Sequence, residues 1–192
     1  MTPNQPTKIL VPAGALGIPY DRTALANGVK RQPDLIAIDG GSTDSGPYYL
    51  GTGTSKYSRS ATKADWAVLM AARATAGVPL LIGTAGTCGS DSAVDWMLDI
   101  TLEIARERGE HLNIATMKSG QDSSRVKAAL DTGRIIALDA APAIDGSTVE
   151  DCANIVALAG IEQIQAALNT GADIIIAGRA TDTAVIAALP IT

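Results

Sequence analysis

Short apolar runs recur along the chain: Ile9-Leu10-Val11, Leu35 to Ile38, Leu80 to Ile82, Leu112 to Ala115, Ile135 to Leu138, Ile155 to Leu158 and Asp173 to Ala177. Each is the length of a strand, and several are rich in β-branched residues. They are continuously apolar rather than alternating, which is the pattern of strands covered on both faces. Helical patterns lie between them. Residues 62–76 open on Thr62-x-x-Asp65 and stop at Gly77, with Pro79 beyond. Residues 92–108 open on Ser92-x-x-Asp95, place Val94, Leu98, Thr101, Leu102 and Ala105 on one face, and close with Arg106, Arg108 and Gly109. Gly133 and Gly171 read as the residues that follow two further helices, and Asp182 as the cap of a last one. The Ile155–Leu158 run competes with a helix starting at Ser147-x-x-Glu150 and continuing through Ala157.

This alternation predicts an α/β fold: a doubly wound, mostly parallel sheet with helices on both faces and right-handed crossovers. A partial α/β barrel is the competing architecture. The unequal strand–helix units and the long excursion over residues 39–59 favour the open sheet. The 192 residues fit one α/β domain, 1–192. The arrival of Thr192 directly after Ala-Leu-Pro-Ile reads as the N-terminal part of a longer chain.

Composition narrows the classes. Apolar residues make up 46% and charged residues 18%, which excludes a disordered chain. Phe is absent, so the core must be aliphatic. A net charge of −5 without a basic cluster argues against a nucleic-acid partner. No apolar run approaches the ~20 residues of a membrane span, and the first residues resemble no targeting segment. The expected location is cytoplasmic, with Cys88 and Cys152 as free thiols.

In a parallel sheet the loops after the strands emerge on one edge, where ligands bind. The loop Asp39-Gly40-Gly41-Ser42-Thr43-Asp44-Ser45-Gly46 is the most polar of these. Asp39 and Asp44 are candidate catalytic carboxylates, able to act as acid and base if burial separates their pKa values. Such a pair can also hold a divalent cation, though no metal site is assigned. Ser42 and Thr43 are candidate substrate-binding hydroxyls. The Gly83–Gly89 loop precedes a helix, so Gly83, Thr84 and Gly86 are expected to present backbone N–H groups to an anion. Its Gly83-x-x-Gly86-x-x-Gly89 string is neither a dinucleotide fingerprint nor a P-loop, and the sequence assigns no cofactor. Arg179 is placed to fork onto a substrate carboxylate or phosphate, with Asp182 beside it. Lys118, also just past a strand, is a candidate catalytic cation. The plain alternative for both cations is an ion pair with Asp44, Asp122 or Asp182. Cys88 reads as a small buried residue, and His111 lies at the far end of a strand.

These residues also carry a resemblance. Asp39-Gly40-Gly41-Ser42-Thr43-Asp44-x-Gly46-Pro47-Tyr48-Tyr49-Leu50-Gly51 resembles the signature of the acyclic terpene utilisation protein A family, N-terminal domain. Ile82 to Gly86 leading to Val94 to Leu98, then Gly160-Ile161-Glu162, then Gly171 to Arg179, agree with the same pattern in order. Ser45 departs from the Pro of many members, and Thr87-Cys88-Gly89 from a more Gly-rich run. The resemblance implies a role in the breakdown of acyclic terpenes or branched acids, acting on acids or their acyl-CoA thioesters. It carries no settled reaction; elimination favours a lyase, hydratase or isomerase over an oxidoreductase or kinase. The second reading is a non-catalytic binding or scaffolding domain that works with a C-terminal remainder, a partner subunit or as a homo-oligomer.

Overall fold

The computed structural model describes residues 6–41 and 46–191. Five strands form one parallel sheet: β1 (Ile9–Leu10), β2 (Leu35–Asp39), β3 (Leu80–Gly83), β4 (Ile114–Met117) and β5 (Ile174–Ala177). Their order across the sheet is β1-β2-β3-β5-β4, and among the described residues β1 and β4 are unpaired on their outer sides. The sheet is therefore open, and the barrel alternative is excluded. The helices are α1 (Arg22–Val29), α2 (Tyr48–Thr52), α3 (Arg59–Ala76), α4 (Asp91–Arg108), α5 (Ser123–Asp131), α6 (Gly146–Asp151), α7 (Ile161–Leu168) and α8 (Asp182–Ala187).

The strand pleat divides the core in two. Ile36, Ile38, Leu80, Ile82, Ile174 and Ile176 face α1, α3 and α4, where Trp66, Leu69, Met97 and Ile100 are fully buried. Leu35, Ala37, Leu81, Ile175 and Ala177 face α7 and α8. Each buried Leu or Ile side chain stabilises the fold by about 1.5–3 kcal/mol. The two-faced cover explains why the strands read as unbroken apolar runs. Trp66 is the one large aromatic at the centre, and its indole N–H donates to the Thr101 hydroxyl at 2.9 Å, so no polar group is stranded there.

The helix starts lie a little earlier than the sequence patterns suggest. Ser58, not Thr62, caps α3 through the Ala61 N–H, which leaves Thr62 buried and Asp65 free to pair with Arg22. Ser90, not Ser92, caps α4 through the Ala93 N–H. Thr181, not Asp182, caps α8. Two expected strands are absent. Residues 135–138 find no edge to pair with and lie exposed beyond α5. The Ile155–Leu158 run makes only an isolated antiparallel bridge, Val156 with Gly120; nearby Ala159 bridges Ala180 in parallel. The competing helix does form, but as α6 it ends at Asp151.

The ends of β2 and β3 meet unusually closely. The Gly40 N–H donates to the Gly83 carbonyl at 2.6 Å, and the Thr87 N–H to the Gly40 carbonyl at 3.0 Å. A Cβ at Gly41 would overlap the Thr87 carbonyl, whose neighbours are backbone and cannot turn aside. Gly41→Ala is expected to destabilise the protein by about 2–4 kcal/mol in urea unfolding. Gly51→Ala, in open space within α2, should be neutral or stabilise by up to about 1 kcal/mol.

Candidate functional site

Three consecutive crossovers, carrying α1, α3 and α4, lie on one face of the sheet, whereas α7 and α8, before and after β5, lie on the other. The chain thus leaves β3 toward one face and β5 toward the opposite face, although β3 and β5 are neighbours. Their exit loops diverge and open a crevice at the carboxyl ends of the strands. A cleft of about 510 Å³ occupies this place, lined by Gly14, Ala15, Ile18, Asp39, Gly41, Thr84, Leu158 and residues 179–183.

Asp39 is the last residue of β2 and only 8% exposed. Its Oδ1 is buried and has no hydrogen-bond partner among the described residues. Burial disfavours the charged carboxylate and, with the nearby Asp182 carboxylate adding repulsion, pushes the pKa up to about 7. The Gly40 and Gly41 amides and the Thr84 hydroxyl favour the anion and only partly oppose this. At neutral pH the carboxyl is therefore poised between its two protonation states.

Thr84 and Thr87 hold left-handed backbone conformations, φ 46° and 77°. For β-branched residues this costs on the order of 1–3 kcal/mol each, and surrounding contacts must enforce it. The Thr84 hydroxyl donates to the Ala180 carbonyl at 3.0 Å and accepts from the Ala180 N–H at 3.4 Å. The Thr87 hydroxyl accepts from the Lys56 N–H at 3.1 Å. Strain of this kind lies beside Asp39 and fixes the two loops that flank it.

Arg179 lines the same cleft, half-buried, and its guanidinium makes no ion pair among the described residues. Asp182 is exposed at the mouth. The opposite, amino-terminal edge of the sheet is different: Arg73 pairs with Asp173, whose second oxygen accepts from the Asn113 N–H at 2.8 Å. Buried atoms without a partner occur at this edge too, at the Arg73 Nε and the Glu110 Oε2, but only at the carboxyl edge does such an atom, the Asp39 Oδ1, share a cleft with Arg179. The larger groove of about 810 Å³, lined by Lys8, Leu10, Gly28 and Arg31, offers no carboxylate or nucleophile.

The remaining sequence candidates divide. Ser42, Thr43 and Asp44 lie outside the described residues. Lys118 is not brought to the cleft; it pairs with Asp95 at 2.8 Å on the surface, a partner the sequence did not suggest. The anion cradle expected at Gly83–Gly89 does not form. The N–H groups of Thr84, Ala85, Thr87 and Gly89 donate to the carbonyls of Gly178, Ala177, Gly40 and Ala85. Gly83 lacks a side chain because Val185 packs against it, and Gly86 because Ala93 does. Of that loop only Thr84 reaches the cleft. Asp122 caps α5, and Cys88 is buried and unbridged, its thiol directed at the Ser90 hydroxyl. No group of three or more His, Cys, Asp or Glu able to hold a metal occurs among the described residues.

Sequence reasoning missed the apolar side of the cleft. Ile18 is 45% and Leu158 59% exposed, both large for apolar side chains. Leu158 is held there because the Ala159 N–H donates to the Arg179 carbonyl and the Thr181 N–H to the Ala159 carbonyl. Its only sequence signal was an apolar run that read as a strand.

The raised pKa has a consequence for stability. The unfolded chain releases the Asp39 proton near pH 4, and the folded chain holds it to about 7. Between these values the native state binds more protons, so stability falls as pH rises through that window. Asp39→Asn removes this dependence. Relative to it, the wild type should lose on the order of 3 kcal/mol between pH 4 and 8, read from denaturant unfolding at each pH.

Searches of curated proteins and of solved structures returned no match. No described helix is long and apolar enough to cross a membrane. A family model matches residues 62–191, from the first turns of α3 through β5 to the end of α8, and includes the Thr84, Leu158 and Arg179–Thr183 walls of the cleft. The Asp39–Gly51 stretch precedes that match. The chain belongs to the acyclic terpene utilisation family, AtuA.

Proposed function

We propose that the cleft binds a branched apolar acid, free or as its acyl-CoA thioester, and that the domain is an enzyme moving a proton on it. The observation that carries this reading is the buried Asp39 carboxyl, one oxygen of which has no partner among the described residues, opening into a cleft that also holds an arginine with no ion pair among them and an exposed apolar wall. Membership of the acyclic terpene utilisation family supports a branched apolar substrate.

Arg179 would take the anionic end of the substrate in a two-pronged contact. The guanidinium would gain there an ion-pair partner that none of the described residues provides. Ile18, Ala15, Ala180 and Leu158 would receive the branched chain, which would remove the exposed surface of Ile18 and Leu158 from water. Asp39 would then face the reacting carbons. With a pKa near 7 it accepts a proton when ionised and returns one when neutral, which suits the addition or elimination of water or the shift of a double bond. A lyase, hydratase or isomerase is the reaction class that such a single proton-transferring group serves.

The test is thermal-shift titration with free branched acids and with acyl-CoAs, followed by turnover assays on whatever stabilises. Arg179→Ala is expected to weaken binding about 10–100-fold. Asp39→Asn should retain binding and lose about 10²–10⁴-fold in turnover, and the wild-type pH–rate profile should bend near pH 7. Ligand stabilisation that both variants preserve in full would remove the cleft from consideration. Stabilisation without turnover would make the domain a binding module.

A further inference from the structure

We infer that the exposed segment Arg134–Asp139 pairs antiparallel with the same segment of a second copy of this chain, forming a symmetric homodimer. Its sequence, Arg-Ile-Ile-Ala-Leu-Asp, has the composition of a strand, yet the structure gives it no strand partner. All six residues are exposed, Ile136 at 88% and Leu138 at 84%. Among the described residues, the backbone N–H groups of Ile135 through Asp139 donate to nothing within the chain, and only the Leu138 carbonyl accepts, from Ala141. An apolar strand with free backbone groups is a template for pairing with another chain.

The segment is bounded and presented. Gly133 before it and Ala140 after it both hold positive φ, 67° and 61°, which stops a strand at either end. The elements at its roots, α5 and α6, lie side by side, with Lys127 of α5 against Gly146 of α6. The connection therefore leaves and returns at one place on the body, carrying the six residues outward.

The occupant follows from the order of charges. In an antiparallel pair centred between Ile136 and Ala137, Arg134 stands opposite Asp139, Ile135 opposite Leu138, and Ile136 opposite Ala137. Two-fold symmetry repeats each pair. Apolar pairs fill the middle of both faces, and an ion pair closes each end, a combination that stabilises cross-strand contacts. A parallel pair in register would instead oppose Arg134 to Arg134 and Asp139 to Asp139, which is repulsive. The segment is thus complementary to itself in one orientation only.

Sedimentation equilibrium of the full chain tests this. The wild type is expected to dimerise, and Ile136→Lys to be monomeric with an unchanged circular dichroism spectrum, since the side chain is exposed. Arg134→Asp should raise the dissociation constant about tenfold, through two like-charge pairs. Arg134→Asp combined with Asp139→Arg should restore it. A wild type that stays monomeric at every concentration overturns the proposal. So does a dimer indifferent to Arg134→Asp, or one the double exchange does not rescue, because its interface then lies elsewhere.

Discussion

The close backbone contact between Asp39-Gly40-Gly41 and Gly83–Thr87 is the constraint on which the site depends. Two hydrogen bonds, Gly40 to Gly83 and Thr87 to Gly40, bring the exits of β2 and β3 nearer than side chains would permit. With no Cβ at Gly40 or Gly41, the chain can turn directly after Asp39 and hold its carboxyl against the β3 loop. The same contact helps to enforce the left-handed backbones of Thr84 and Thr87. Thr84 in turn reaches Ala180 and so couples β5's exit to the arrangement. Asp39, Thr84 and Arg179 therefore share a cleft because of one packing decision made by two glycines.

Sheet topology supplies the space that this contact lines. With β5 inserted between β3 and β4, neighbouring strands send their following helices to opposite faces, and among the described residues the edge between them stays open as the cleft. The amino-terminal edge is arranged differently. There Arg73 pairs with Asp173, which also accepts from the Asn113 backbone, while the Arg73 Nε has no partner among the described residues. At the carboxyl edge the Asp39 Oδ1 lacks a hydrogen-bond partner and the Arg179 guanidinium an ion-pair partner among the described residues, and both face one cleft.

What could be read in the sequence follows from range. Strands buried on both faces announce themselves locally, and β2, β3 and β5 lie where their apolar runs lie. Asp39 and Arg179 were legible because a strand exit places a residue on the rim whatever its neighbours are. The roles of Gly83 and Gly86 were not legible. A glycine kept open for a ligand and one filled by Val185 or Ala93 spell the same letters, and the packing partners are distant in sequence or a helix turn away. Lys118 failed for a similar reason: its partner Asp95 lies on α4, which no pattern along the chain could place beside it. Residues 135–138 are the instructive miss. The run has strand propensity, but propensity does not supply an edge, and no strand forms there.

Asp39 is an energetic conflict that the fold retains. A carboxyl buried beside a second carboxylate destabilises the native state at neutral pH, and an asparagine or a small apolar residue would relieve it. Stability alone therefore does not account for aspartate at this position. The strain at Thr84 and Thr87 points the same way, since both are spent on holding the walls around that carboxyl. The exposed Ile18 and Leu158 are a third cost, as apolar surface left in water. A bound anion with an apolar chain would relieve much of this at once: it pairs Arg179, covers Ile18 and Leu158, and gives the Asp39 proton somewhere to go. That one class of molecule answers deficits arising separately in β2, β3, β5 and the Leu158 segment is the strongest physical argument for reading the cleft as a site.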